Sequence, residues 1–144
     1  MKKTLISIFV ILLIILLYVI SFIMNNQSEQ NKILKQNKEY EYYLNKEIYG
    51  AEIATIINKV VDKNEQNKIP KNENGEYIDD GKQSIKVDLK MITIDKTYPM
   101  EVIYNNDITK FVQNFNLIMF KCTSIEYHKE TGLISKITFE QIEE

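Results

Sequence analysis

Three groupings of chemically competent side chains occur in this chain, and each implies a different chemistry. Asp62, Asn64, Gln66 and Glu73 stand at positions 1, 3, 5 and 12 of a calcium-loop pattern, with Ile69 at the apolar eighth place. Such a loop needs oxygen ligands at those positions and a Gly at the sharp turn, where this chain has Asn67. Gln66 is a neutral ligand, and residues 62–66 read as the end of a helix, so no metal ligand is assigned. Cys122 and His128 are the types of a nucleophile–base pair. Six residues apart on one strand, they share a face but lie roughly 20 Å apart. With a single His, a multi-His zinc site is excluded. The acidic turns from Glu73 to Asp80 read as solvated turns that also suit loose cation binding. The third grouping is Tyr40, Tyr42, Tyr43 and Tyr49. Tyr40 lies ~24 Å beyond Met24 on a continuous helix, too far for a headgroup anchor. Contact with a partner helix or with the domain itself is the expected role, since Tyr is enriched in interfaces. The expectation is therefore no catalytic residue, no cofactor and no metal ligand.

The elements around these groups are clearer. Thr4 to Met24 is an uncharged apolar run preceded by Lys2 and Lys3. At ~1.5 Å per residue it matches the ~30 Å hydrocarbon layer. A helix satisfies its own backbone groups and can sit in lipid. Its Leu, Ile, Val and Phe side chains, at ~0.3–0.6 kcal/mol each, give roughly 5–10 kcal/mol toward insertion. A cleaved signal would have a shorter apolar run and a small-residue cleavage site, whereas Ser21 to Asn25 presents bulky residues. An uncleaved anchor in contact with lipid through residues 4–24 is expected. Lys2 and Lys3 flank one end, while Asn25 to Asn31 carries no positive charge before Lys32, Lys35 and Lys38. That places residues 1–3 as a cytoplasmic tail and the bulk of the chain outside the cell membrane.

The remaining residues suit one small domain and a connecting stalk. Net charge is −2, and the chain contains no Arg, the residue suited to bidentate phosphate and guanine contacts. Nucleic acid is excluded as a partner on that basis. A single cysteine, Cys122, rules out an intramolecular disulfide, so packing must hold the domain.

Residues 25–47 are polar with few apolar positions and read as a helical stalk. Ile48, Ile53, Ile56, Ile57, Val60 and Val61 then recur at helical spacing and form a face wide enough to cover a sheet. Asn67 and Pro70 end that helix. Lys71 to Gln83 is a loop marked by Asn74-Gly75 and Asp80-Gly81. Ser84 to Ile94 reads as a strand with Ile85, Val87, Leu89 and Met91 on one face, and Lys96 to Met100 as an edge strand that tolerates Pro99. Asp107 is an N-cap for a short helix with Ile108, Phe111, Val112 and Phe115. Ile118 to Tyr127 and Leu133 to Phe139 form a hairpin turning at Gly132. The fold class is α+β: a transmembrane helix continuing into a long helix packed on a small antiparallel sheet, with residues 48–144 as the extracytoplasmic domain.

This order of parts resembles the type IV pilins and pseudopilins. The basic pair Lys2-Lys3 before the apolar run resembles their leader, and Gly50-Ala51-Glu52-Ile53 leading to Ile56 and Ile57 resembles helix segments of small pilin-like proteins. The family's processing site is a Gly followed by Phe or Met, with Glu at the fifth mature position. Here no Gly precedes Gly50 and the first acidic residue is Glu29. The resemblance thus implies a membrane-retained, pilin-like scaffold with protein partners at the stalk or domain surface. Its expected role is structural or accessory, in an envelope, secretion or surface assembly, and non-catalytic. A tethered sensor or binding subunit for an extracytoplasmic ligand is the alternative and would need a pocket with convergent polar groups. An enzyme would need a cleft with strongly perturbed ionisable groups.

Overall fold

The uncharged apolar run forms a helix, as its composition requires. The computed structural model describes residues 2–142; Met1 of the expected tail and Glu143 and Glu144 of the expected domain lie outside the described residues. Helix α1 spans Lys2–Glu41, and within it an 18-residue window reaches a mean hydropathy of 2.9 with none of it buried. The chain divides into two compact units, Met1–Lys35 and Gln36–Glu144. The expected stalk boundary is therefore corrected. The helix ends at Glu41 rather than near residue 47, and residues from Gln36 onward belong to the second unit. Tyr43 N–H donates to Tyr40 O and Leu44 N–H to Glu41 O, tightening the last turn. Asn45 then takes a left-handed φ of 62° and turns the chain into a strand. Asn tolerates that region better than most side chains do.

Within the second unit, strand β1 (Glu47–Tyr49) leads into α2 (Gly50–Gln66). Ile48, placed by its spacing on the helix face, instead points inward from β1. The other assigned positions hold: Ile53, Ile56, Ile57, Val60 and Val61 are buried on α2, whose C-cap is Asn67. Strand β2 (Lys86–Met91) alternates as expected, burying Val87, Leu89 and Met91. It ends earlier than read, in a 3-10 turn at Ile92–Ile94 closed by Asp95 in the left-handed region. Strand β3 (Lys96–Pro99) follows at the sheet edge, where Pro99 has no outer neighbour to bond.

A short helix α3 (Met100–Asn105) was not legible; it begins directly after Pro99 and buries Met100 and Ile103. Helix α4 (Ile108–Phe115) starts at Asp107, whose carboxylate accepts the Thr109 N–H as an N-cap does. Strands β4 (Met119–Tyr127) and β5 (Ile134–Gln141) form the expected hairpin.

The sheet order is β1-β4-β5-β2-β3. It is mostly antiparallel, as expected, but its β2–β5 pair is parallel, so the sheet is mixed. Strand periodicity reports which face is buried, not which neighbour a strand takes. Fully buried Phe120, Phe139, Ile137 and Leu89 on the sheet belong to one core cluster with Ile53, Ile57 and Val60 of α2. Ion pairs Lys136–Asp88 (2.6 Å) and Lys90–Glu140 (2.9 Å) join β5 to β2 across strands.

Candidate functional site

The long loop after α2 is ordered by its own side chains. The Asn72 carboxamide oxygen accepts the Asn74 and Glu76 N–H groups, and Lys71 pairs with Tyr77 in an isolated antiparallel bridge. Tyr77 is buried and plugs the core, its hydroxyl donating to Glu65 at 2.7 Å. Burial, aided by the Glu65 carboxylate, pushes its hydroxyl up to about 12.

At the end of this loop, four residues converge. Asp79 Oδ1 accepts from Gly81 N–H (2.9 Å) and from Ser84 Oγ (3.0 Å). Asp80 Oδ1 accepts the N–H groups of Lys82 (3.0 Å), Gln83 (2.8 Å) and Ser84 (2.9 Å). The Gly81 N–H holds the Asp79 carboxyl below the usual range. Burial pushes Asp80 up, but the three backbone donors outweigh it and hold its carboxyl down at about 2. Both carboxylates are therefore charged at neutral pH. Ser84 is buried, and its carbonyl is 2.7 Å from His128 Nε2. His128 follows β4; its turn is closed by His128 N–H to Leu133 O and Gly132 N–H to His128 O. Its side chain is 3% exposed, and Nδ1 lies 3.7 Å from Asp79 Oδ1. Asp79, Asp80 and His128 each offer one ligand atom, all within 4.8 Å of one another.

The groups singled out by spacing are dispersed. Asp62, Asn64 and Gln66 lie on α2, so the calcium-loop pattern is a helix rather than a ligand loop. Asn64 is a fully buried clamp: its Nδ2 donates to Ile85 O (2.7 Å) and its Oδ1 accepts the Ile85 N–H (2.9 Å). Cys122 is buried in β4 and donates weakly to Ser124 O at 3.9 Å. Burial raises its thiol to about 11, which leaves almost no thiolate at neutral pH. Its neighbours are Leu44 and Phe139, across from it in the sheet, while His128 is tied to Ser84.

Of the two expected roles, contact with a partner helix or with the domain itself, Tyr40 and Tyr43 take the second. Tyr40 is 4% exposed in the domain's own core, and Tyr43 packs against that core. Their helical turn belongs to the folded unit, so they complete its packing rather than wait for a partner. Tyr42 and Tyr49 remain exposed, and Lys46 Nζ sits over the Tyr42 ring.

A separate apolar groove of about 260 Å³ opens between the β2–β3 edge and helices α3 and α4. Met91, Tyr98, Ile103 and Phe111 line it, with Asp107 and Lys110 among the polar lining residues. The groove was not legible in the sequence, because α3 forms one of its walls. The convergence of His128 on Asp79 and Asp80 was also missed; the Asp-Asp-Gly turn was legible, but nothing local connects it to the lone His.

Comparison with known proteins returns no matching family model, no matching curated protein and no matching solved structure.

Proposed function

We propose that this chain is a single-pass, membrane-anchored contact module, pilin-like in layout, that presents its α+β domain outside the cell membrane and serves a structural or accessory role without catalysis. One observation carries the reading: α1 exposes every described side chain from Ile8 to Met24, while Gln36–Glu144 forms a compact unit of its own. So large an apolar surface is stable in lipid and not in water. Lys2 and Lys3 beside the run favour a cytoplasmic N-terminus. Cys122 is the only thiol and is inert, which argues against a cysteine nucleophile.

The test is made on the full chain in its native membrane. The protein stays in the pellet after alkaline carbonate extraction, and its domain is digested by protease added outside intact cells. In-membrane crosslinking then captures the same partners when residues 4–24 are replaced by an unrelated apolar helix of equal length. A soluble mature form beginning after Met24, or a domain protected in intact cells, overturns the anchor or its orientation.

The apolar groove beside α4 favours a second reading, a tethered binding subunit for a small apolar ligand. Ligand-dependent protection of Tyr98 from chemical modification, with no crosslinked protein partner, selects that reading over the first.

A further inference from the structure

The ring of His128 has only one consistent protonation pattern when neutral. Its Nε2 is 2.7 Å from the Ser84 backbone carbonyl. A carbonyl accepts and never donates. Nε2 therefore carries a hydrogen, and Nδ1 of the neutral ring presents a bare lone pair. That lone pair faces Asp79 Oδ1, an anionic acceptor, at 3.7 Å. In that tautomer Nδ1 has no hydrogen-bond partner among the described residues, and it faces a carboxylate whose side chain is 63% exposed. No hydrogen bond joins them, although the His128 side chain is almost wholly buried.

The surrounding bonds fix the orientation of all three side chains. A metal-binding imidazole ordinarily donates its other N–H to a carbonyl or carboxylate, which fixes the ring's tautomer and orientation. The Nε2–Ser84 bond does this here. Ser84 also binds both carboxylates, through Oγ to Asp79 Oδ1 and through N–H to Asp80 Oδ1. One buried serine thus aligns all three candidate ligands. We propose that Asp79, Asp80 and His128 Nδ1 bind a divalent transition-metal cation, zinc or manganese. One imidazole and two carboxylates suit such ions better than calcium, which prefers oxygen ligands throughout. The ligand atoms lie within 4.8 Å of one another. A central ion bonded at about 2.0–2.2 Å needs them to draw in by roughly an ångström or less. Three protein ligands leave at least one position for water or for a partner's side chain. The loop ending at Ser84 and the turn following β4 would then be joined through the ion. Such a site is independent of the anchoring role.

The rival explanation is a proton: an imidazolium bonded to Asp79 in place of a metal. The untagged full chain, purified in detergent and stripped by chelator, separates the two. Titration with zinc alone, and with manganese alone, is followed by calorimetry and by the imidazole nitrogen resonances. The expected result is one ion per chain at micromolar or tighter affinity, with a shift of the Nδ1 resonance while Nε2 stays protonated. Asp79→Asn keeps an oxygen for the Gly81 and Ser84 bonds, and it weakens binding at least tenfold while the amide spectrum stays native. His128→Gln is the harsher variant and is read only alongside it. Absence of binding below millimolar zinc and manganese, binding unchanged by Asp79→Asn, or an Nδ1 resonance that reports only protonation overturns the proposal.

Discussion

Replacing Gly50 by Ala sets two effects of opposite sign against each other. Gly50 opens α2. On helix propensity alone, Ala should stabilise by about 0.5–1 kcal/mol. A Cβ at this position would lie 2.1 Å from Phe115 O and 2.8 Å from Phe115 C. Ordinary contact begins near 3.4 Å, so the backbones must part by more than an ångström. The obstacle is main chain at the end of α4, not a side chain free to rotate. Overpacking of this kind costs about 1–3 kcal/mol. Parting the segments also strains the bond from Gly50 N–H to Ile118 O, which is 2.9 Å long. That strain costs about another 1 kcal/mol. The clash wins, and the net loss is about 1–3.5 kcal/mol. Against a total stability of about 5–15 kcal/mol that is a sizeable share, and it lowers Tm by roughly 5–15 °C. Urea unfolding of the full chain in detergent, followed by tyrosine fluorescence, measures it. Of the 9 tyrosines only Tyr18 lies in the apolar run, so the signal reports the domain. Gly81→Ala is the comparator, because Gly81 has a φ of +70° but open space around it. It costs only about 1–2 kcal/mol of left-handed strain. An Ala at position 50 that leaves stability unchanged or raises it would refute the close packing of α2 on α4.

Three further outcomes follow from the same packing. Asn64→Ala strands the buried Ile85 N–H and C=O. It should cost about 2–5 kcal/mol, seen as a lower urea midpoint, whereas Ala at exposed Asn74 should stay within about 0.5 kcal/mol. Tyr40 and Tyr77 are both raised to about 12, Tyr40 by burial and then by Glu39. Their folded forms hold the proton more tightly than the unfolded chain, so that stability is full below about pH 10 and is lost as pH rises toward 12. Tyr40 contributes up to about 2–3 kcal/mol and Tyr77 less, because its hydroxyl bonds to the solvent-exposed Glu65 carboxylate, and a urea midpoint that is flat across that window would contradict it. Cys122, buried with its thiol at about 11, should react with maleimide at neutral pH only after denaturant is added; prompt labelling of the native chain would show the β4 core to be open.

Several elements were legible because their signal is local. The apolar run, the α2 face from Ile53 to Val61, the alternation of β2, the Asp107 cap and the β4–β5 turn at Gly132 each follow from composition, a period or a turn dipeptide within a few residues. The end of α1 was not legible. Polar residues 36–41 read as solvated, yet Asn37 is buried and exchanges hydrogen bonds with Gly132 O and Ile134 N–H from the far end of the chain. Strand β1 has only three residues, too few to show a period, and exists because β4 supplies its partner. The parallel β2–β5 pairing is likewise a choice among neighbours that no single strand encodes visibly.

The sequence alone determined the apolar helix, the α+β class and most of the core positions, since burial periodicity and turn chemistry are written into adjacent residues. Tertiary structure alone decided where the helix yields to the domain, and that the one histidine meets Asp79 and Asp80. Those contacts join residues distant along the chain, and their geometry is set by the packing of the elements that carry them.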